Sequence, residues 1–420
     1  MRPPRPGSAR LPESGPRSGS PPPGSPRLRA ALAAATDDRI VYDLPGIEQG
    51  HDALLRELPG VRIRFALKAC PVDDVLAALA RRGAGFDAAG PEEIAQALRT
   101  GVPASRVHYG NTVKSDAQIA AAHRLGIRDY ATDSLQDLAA IARHAPGSRV
   151  FCRLAAPGGG ALWGLGRKFG CAPADAVALL LAAQEAGLTP AGLSVHVGSQ
   201  QMTADAWRDA FDVLAGVLAE AHRHGIAPDH VNLGGGLPAR GYRDRRGNPL
   251  EPPLDKTFAT LREGMRHLAG ISAAPLDFVL EPGRHLVADH GAVRAHVVRL
   301  TERTRPGGGP DHWLYVSCGR FNGLYEMDAV QYPLEFPSHP AAAPRVPAVV
   351  AGPTCDSDDA YDPRAPVPVP AAAASGDPVW IHAAGAYAVS YTTRGFNGFA
   401  PLPCTVVRDA DAPPSTRPED

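Results

Sequence analysis

The chain has 420 residues, 44% of them apolar and 21% charged, enough to bury a large core and to build a second domain beside it. Its 43 basic and 44 acidic residues are mixed along the sequence and leave a formal net charge of -1, which excludes the basic stripe of a nucleic-acid binder and the polybasic patch of a membrane-surface protein. Cys70, Cys152, Cys171, Cys318, Cys355 and Cys404 form no CxxC pair and no metal-ligand spacing, so reduced thiols in a cytoplasmic chain, a small-molecule partner and no metal are expected.

Residues 1–28 are rich in Pro, Arg, Gly and Ser and carry too few apolar groups to offset the entropy of ordering, so they read as a disordered tail. Ala30–Ala35 is too short and too weakly apolar for a signal sequence, and no later run approaches the ~18 apolar residues of a membrane span. Arg39–Leu44, within residues 36–45, is a lone β-like segment that is expected to join a later sheet.

From residue 46 to 284 short β-type runs alternate with amphipathic helical stretches. The runs are Arg62–Lys68, Gly85–Ala89, Arg106–Gly110, Ile127–Ala131, Arg149–Leu154, Leu193–Val197, His230–Leu233 and Asp277–Glu281. Eight such units predict an α/β fold of the TIM-type (β/α)8 barrel class. Residues 285–410 change to Val-rich alternating segments, Ala292–Leu300, Trp313–Cys318, Ala348–Ala351, Val379–His382, Ala386–Tyr391 and Cys404–Arg408, between Pro- and Gly-rich turns. They predict a C-terminal β-rich domain, sandwich-like or barrel-like. Gly307–Gly309 reads as a loop, and the polar end from Asp409 as frayed.

Barrel chemistry gathers at the carboxyl ends of the strands, and those ends carry Lys68, Asp87, Asn111, Arg153, His196, Gly234 and Glu281. An ammonium at the end of the apolar strand FALKA must be desolvated or paired, which is expected to lower its pKa and favour a Schiff base. Gly234, Gly235 and Gly236 would let backbone N–H groups approach a phosphate, with Ser199 and Tyr387 as hydroxyl donors. Glu281, in EPGR, is placed to keep a pyridine nitrogen protonated, and His196 to stack on an aromatic ring. Singly, each has an ordinary structural explanation: a surface lysine, a turn, a salt bridge, a core histidine. Together they point to a cofactor pocket. Cys355-Asp356, in a run of carboxylates after Gly352-Pro353-Thr354, would alone be a solvated acidic turn.

Over roughly Arg39 to Val407 the chain resembles the fold-type III pyridoxal-phosphate decarboxylases, the family of ornithine, lysine and diaminopimelate decarboxylases. The resemblance implies that Lys68 is the cofactor lysine, that Asp87 and Glu93 lie in the second-strand motif GFDAAGPEEI, and that Arg153 lies near the phenolic side of pyridoxal phosphate. It further makes His196 the stacking residue, Ser199, Gly234 to Gly236, Arg284 and Tyr387 phosphate-side contacts, and Glu281 the pyridinium partner. It implies a head-to-tail homodimer in which the partner chain supplies Cys355, to protonate the α-carbon after carbon dioxide leaves, and Asp356, to hold the substrate's distal ammonium. Glu326 and Asp328 align loosely as second contacts to that amine.

Asp356 follows Cys355 where diaminopimelate decarboxylases typically carry glutamate, and the FNGF at residues 396–399 replaces their arginine-bearing ending, so ornithine or lysine is the expected substrate. Diaminopimelate, or an amino acid tethered to a carrier protein, stays an alternative. Glu281 disfavours an alanine racemase, which pairs the pyridine nitrogen with arginine. Cys355 and Asp356 disfavour a non-catalytic relative of the antizyme-inhibitor kind.

Overall fold

The computed structural model describes residues 23–409 except 157, 165–167 and 306; the expected tail over 1–22 and the end beyond Asp409 lie outside the described residues. Its first element is a helix, α1 (Pro26–Ala34), begun by Ser25, whose side chain accepts the N–H of Leu28, and by Pro26 in the first turn. Leu28 and Leu32, one turn apart, bury against Val41, Ala292 and Trp380. Arg29 donates to both oxygens of Glu335, at 2.5 and 2.7 Å. Docking of these three side chains orders residues 26–28, expected to belong to the tail, and places most of the Ala-rich stretch in this helix.

After β1 (Arg39–Asp43) come β2 (Val61–Ala66), β3 (Gly85–Ala88), β4 (Val107–Tyr109), β5 (Asp129–Thr132), β6 (Arg149–Arg153), β7 (Ala161–Trp163), β8 (Thr189–Ser194), β9 (Ser199–Gln201), β10 (His230–Asn232) and β11 (Asp277–Leu280). Omitting β1, β7 and β9, these strands form a closed barrel in the order β10-β11-β2-β3-β4-β5-β6-β8. All its pairings are parallel, and β11 closes on β2 through Phe278 opposite Val61. Helices cover the outside by the ordinary amphipathic rule: in Asp205–Arg223, Trp207, Phe211, Leu214, Leu218 and Ala221 recur every three or four residues and are buried.

The eight expected runs each overlap a barrel strand, five of them containing it whole, and the ends are displaced. Two displacements matter for chemistry. The first strand stops at Ala66, so Lys68 sits in a 3-10 turn, Leu67–Ala69, instead of ending a strand. The sixth stops at Ser194, so His196 stands on the loop beyond it. The β7–β9 ribbon, antiparallel with Trp163 opposite Ser199, is built from the two loops that follow β6 and β8.

The rest of the chain forms β12 (Gly291–Thr304), β13 (Pro310–Val316), β14 (Leu334–Glu335), β15 (Arg345–Ala351), β16 (Val367–Pro370), β17 (Pro378–Ile381) and β18 (Cys404–Val407). Six of them run in the order β14-β17-β12-β13-β15-β16. As expected, β1 joins this sheet: it lies antiparallel to β12 and parallel to β18, tying the two ends of the described chain together. Ala386–Tyr391 differs from expectation. It is a turn, because Tyr387 adopts φ 63° and its N–H leaves the sheet to donate to Ala69 O at 2.8 Å.

Candidate active site

The turn carrying Lys68 is held from both sides. Ala66 N–H donates to Pro282 O, and Tyr387 N–H donates to Ala69 O, so the β-domain braces the turn that carries Lys68. Lys68 Nζ lies 3.1 Å from Asp87 Oδ2. The Asp87 charge outweighs desolvation and raises the half-exposed Lys68 ammonium above the ordinary lysine value, the reverse of the shift expected from desolvation alone. Burial pushes the Asp87 carboxyl up, but Lys68 and His108 outweigh it and hold that carboxyl well below the usual range.

Glu281, just past β11, is oriented by Asn232, whose Nδ2 donates to Oε1 at 2.5 Å while its Oδ1 accepts the N–H of Gly234 at 2.9 Å. His108 Nε2 lies 2.8 Å from the same Glu281 oxygen and 3.2 Å from Asp87 Oδ1. Glu93 Oε2 accepts the N–H of Ala89 at 2.7 Å and so braces the loop after Asp87.

His196 Nδ1 accepts the N–H of Gly198 at 3.1 Å, which leaves the proton of the neutral ring on Nε2. Burial, with the cations of Arg153 and Lys68, pushes its pKa down to about 3, so it is an uncharged ring at physiological pH. Arg153, at the end of β6, stacks its guanidinium over Phe169 at 4.7 Å.

Gly234, at φ 67°, and Gly236, at φ 115°, hold backbone shapes that side chains rarely adopt. A Cβ at Gly234 would lie 2.1 Å from Val195 O, and one on Gly235 3.0 Å from His196 Nε2, so this turn stays bare beside the histidine ring. Arg284 faces it. Its guanidinium is within 3.2 and 3.3 Å of Ser199 Oγ, donates to Tyr242 at 2.9 Å, and lies over the rings of Trp163 and Tyr387 at 4.3 and 4.8 Å. Two short bonds, 2.5 and 2.6 Å, join it to Glu326. Glu326 is therefore engaged on the Ser199 side of the site. Asp328 pairs with Arg320 at 3.4 Å.

The Cys355 loop belongs to the β-domain. Cys355 is exposed, and its N–H donates to Asn397 Oδ1 at 2.9 Å. Buried Asp359 ties the loop down by accepting from Thr354 N, Thr354 Oγ1 and Arg320 N. Asp356 Oδ1 accepts the N–H of Asp358.

Residues 44–288 match the family model for the pyridoxal-dependent decarboxylases, pyridoxal binding domain. The chain belongs to this family. It is a pyridoxal-phosphate-dependent carboxy-lyase. This decarboxylase is 29% identical to the lysine/ornithine decarboxylase of Selenomonas ruminantium over 375 residues, covering 88% of this chain and 89% of the relative. Its identity to the ornithine decarboxylase of Caenorhabditis elegans is 28% over 389 residues, 88% of this chain and 87% of the relative. In three dimensions it is similar to the lysine/ornithine decarboxylase of Vibrio vulnificus complexed with cadaverine, with a TM-score of 0.78 at 26% identity over 91% of this chain and 98% of that one.

Sequence reasoning missed several residues of the decarboxylase site. Asn232 ends its strand one residue before Leu233 and was overlooked beside the triple glycine, although a polar group ending an apolar barrel strand was signal enough. Trp163 and Tyr242 come from loops whose approach to Arg284 no local pattern gives. His108, inside the third strand run, was passed over for Asn111, whose own side chain closes a turn by donating to Ala89 O and accepting from Val113 N.

Proposed function

We propose that this decarboxylase removes the α-carboxylate of ornithine or lysine in the cytoplasm, in a head-to-tail homodimer whose sites combine one barrel with the partner's Cys355 loop. The observation that carries the reading is the arrangement at the carboxyl ends of the barrel strands: an amine, Lys68, beside Asp87; a carboxylate, Glu281, fixed by Asn232; and a guanidinium, Arg284, facing Ser199. The donor set fits pyridoxal phosphate. The turn of Gly234 to Gly236 is kept bare because a Cβ at any of the three would crowd protein atoms, and with the Ser199 hydroxyl and the Arg284 guanidinium it suits a dianion. His196 is a neutral ring beside that cradle, and Glu281 an acceptor suited to a protonated ring nitrogen.

When bound, pyridoxal phosphate supplies a conjugated electron sink for the pair left by the departing carboxylate. The residues of this chain do the rest. Lys68 would hold the cofactor's aldehyde carbon through its amine. Glu281 would accept from the ring nitrogen, His196 would pack against the ring face, and Ser199, Arg284, Tyr387 and the glycine turn would hold the phosphate, with Arg153 near the phenolic side. Cys355 donates a proton to the α-carbon, and Asp356 pairs with the distal ammonium. The exposure of Cys355 on a loop whose contacts run to Asn397 and Asp359 supports action on a neighbouring subunit's barrel. The names of the relatives from S. ruminantium and C. elegans support lysine or ornithine as substrate. Lys68→Ala tests the core of this reading: it should abolish both carbon dioxide release and the visible absorbance of the attached cofactor, and retention of both would overturn it.

A further inference from the structure

Asp87 and His108 occupy paired positions on the adjacent parallel strands β3 and β4, which points their side chains to one face. His108 is 1% exposed, and its Nε2 reaches Glu281 Oε1 at 2.8 Å and Asp87 Oδ1 at 3.2 Å. Neither oxygen lies on its N–H axis, so the ring nitrogen stands between the two carboxylates at contact distance without completing a hydrogen bond to either. Room for this is provided at Gly110, where a Cβ would lie 1.9 Å from Asp87 Oδ1 and 3.4 Å from His108 Nε2.

Two carboxylates held this close in a buried site repel each other unless a donor stands between them. Lys68 neutralises Asp87 from the far side only, and it is the residue that the reaction must take away from that task. His108 is the group between them that stays. Asn232 and His108 both engage Oε1 of Glu281, which leaves Oε2 to accept from a ring nitrogen.

We propose that His108 is a positioning residue for the nitrogen end of the cofactor site: it clamps Glu281 to Asp87 across the barrel, so that Glu281 presents one free oxygen and Asp87 stays ionised when Lys68 is engaged. This rests on the reading that Glu281 faces the ring nitrogen. The groups that set its protonation come from several strands. Burial and Arg64, on β2, oppose the charged ring; Asp87 on β3 and Glu281 after β11 outweigh them and hold its pKa above that of an ordinary histidine. Lys68 and Arg153 border the same two carboxylates, and the Phe151 ring, 5.2 Å away, packs on the imidazole.

The test starts on full-length protein stripped of cofactor, by nitrogen-15 NMR of the histidine rings, with His108→Gln assigning the signal. His108 should titrate above the other histidines and fall when Glu281→Gln removes its partner; an ordinary titration indifferent to Glu281→Gln overturns the clamp. Binding of added pyridoxal phosphate is then measured. His108→Leu should weaken it about tenfold and displace the pH dependence of the bound cofactor's absorbance, while His108→Gln, which keeps a donor, should stay within about threefold and lose that pH dependence. If both variants bind and absorb as the wild type does, His108 does not act on the cofactor and the proposal fails. Glu281→Gln separates that failure from an error about Glu281 itself, because its own effect on the absorbance does not require His108.

Discussion

Lys68 Nζ lies 3.1 Å from Asp87 Oδ2, so the amine proposed to hold the cofactor waits as an ammonium paired to a carboxylate on the neighbouring strand. Only the neutral amine attacks an aldehyde. Asp87→Asn should therefore lower the pH at which pyridoxal phosphate attaches to Lys68 by about one unit or more, while weakening retention of the cofactor. Following attachment by absorbance across pH checks this; an unchanged midpoint would show that the pair is not what holds the proton.

The Arg284–Glu326 pair separates two roles for one carboxylate. Both groups are buried, and removing one leaves the other charged without a partner. Glu326→Ala should cost about 3 kcal/mol of stability and weaken binding of pyridoxal phosphate, since Arg284 would lose its orientation toward Ser199. A stable variant with normal cofactor binding but a raised KM for the diamine precursor would instead make Glu326 a substrate contact.

Shared sites predict complementation. Lys68→Ala lacks a working barrel and Cys355→Ala a working loop, so each homodimer should be nearly inactive. Subunit exchange between them should restore roughly a quarter of wild-type activity, because half of the dimers are mixed and each of those has one intact site. Demonstrated exchange with no recovery would contradict a site built from two chains.

Acid should loosen the N-terminal helix. Burial raises the Glu335 carboxyl, but His382 and Arg29 outweigh it and hold its pKa down to about 2. A depressed carboxyl stabilises the fold above its ordinary value of 4.5 and loses that contribution as pH falls toward 2. Protection of α1 from proteolysis should fall over that window in the wild type and be low throughout in Glu335→Ala, whose cost is on the order of 1 kcal/mol for so partly exposed a pair. Equal protection in both would remove the pair from the account of how α1 docks.

Much of the architecture was legible because β-type runs and amphipathic helices alternate with a clear period, and because Lys68, a triple glycine and EPGR each sit just past an apolar strand. What was not legible is what depends on contact across the barrel. The sign of the Lys68 shift could not be read without seeing Asp87 beside it. The Ala386–Tyr391 segment has a strand-like composition, yet the need of Ala69 O for a donor turns Tyr387 out of the sheet. Residues 26–28 look like tail until Leu28 meets Trp380. The contacts of His108 are invisible in a single sequence, since their partners lie 21 and 173 residues away.

Carbon dioxide release from ornithine, lysine, arginine, meso-diaminopimelate and glutamate, with purified protein and added pyridoxal phosphate, tests the central claim most directly. The account predicts release from ornithine or lysine, lost in Lys68→Ala. Silence on both with the cofactor demonstrably bound would contradict it and turn attention to diaminopimelate or to an amino acid tethered to a carrier.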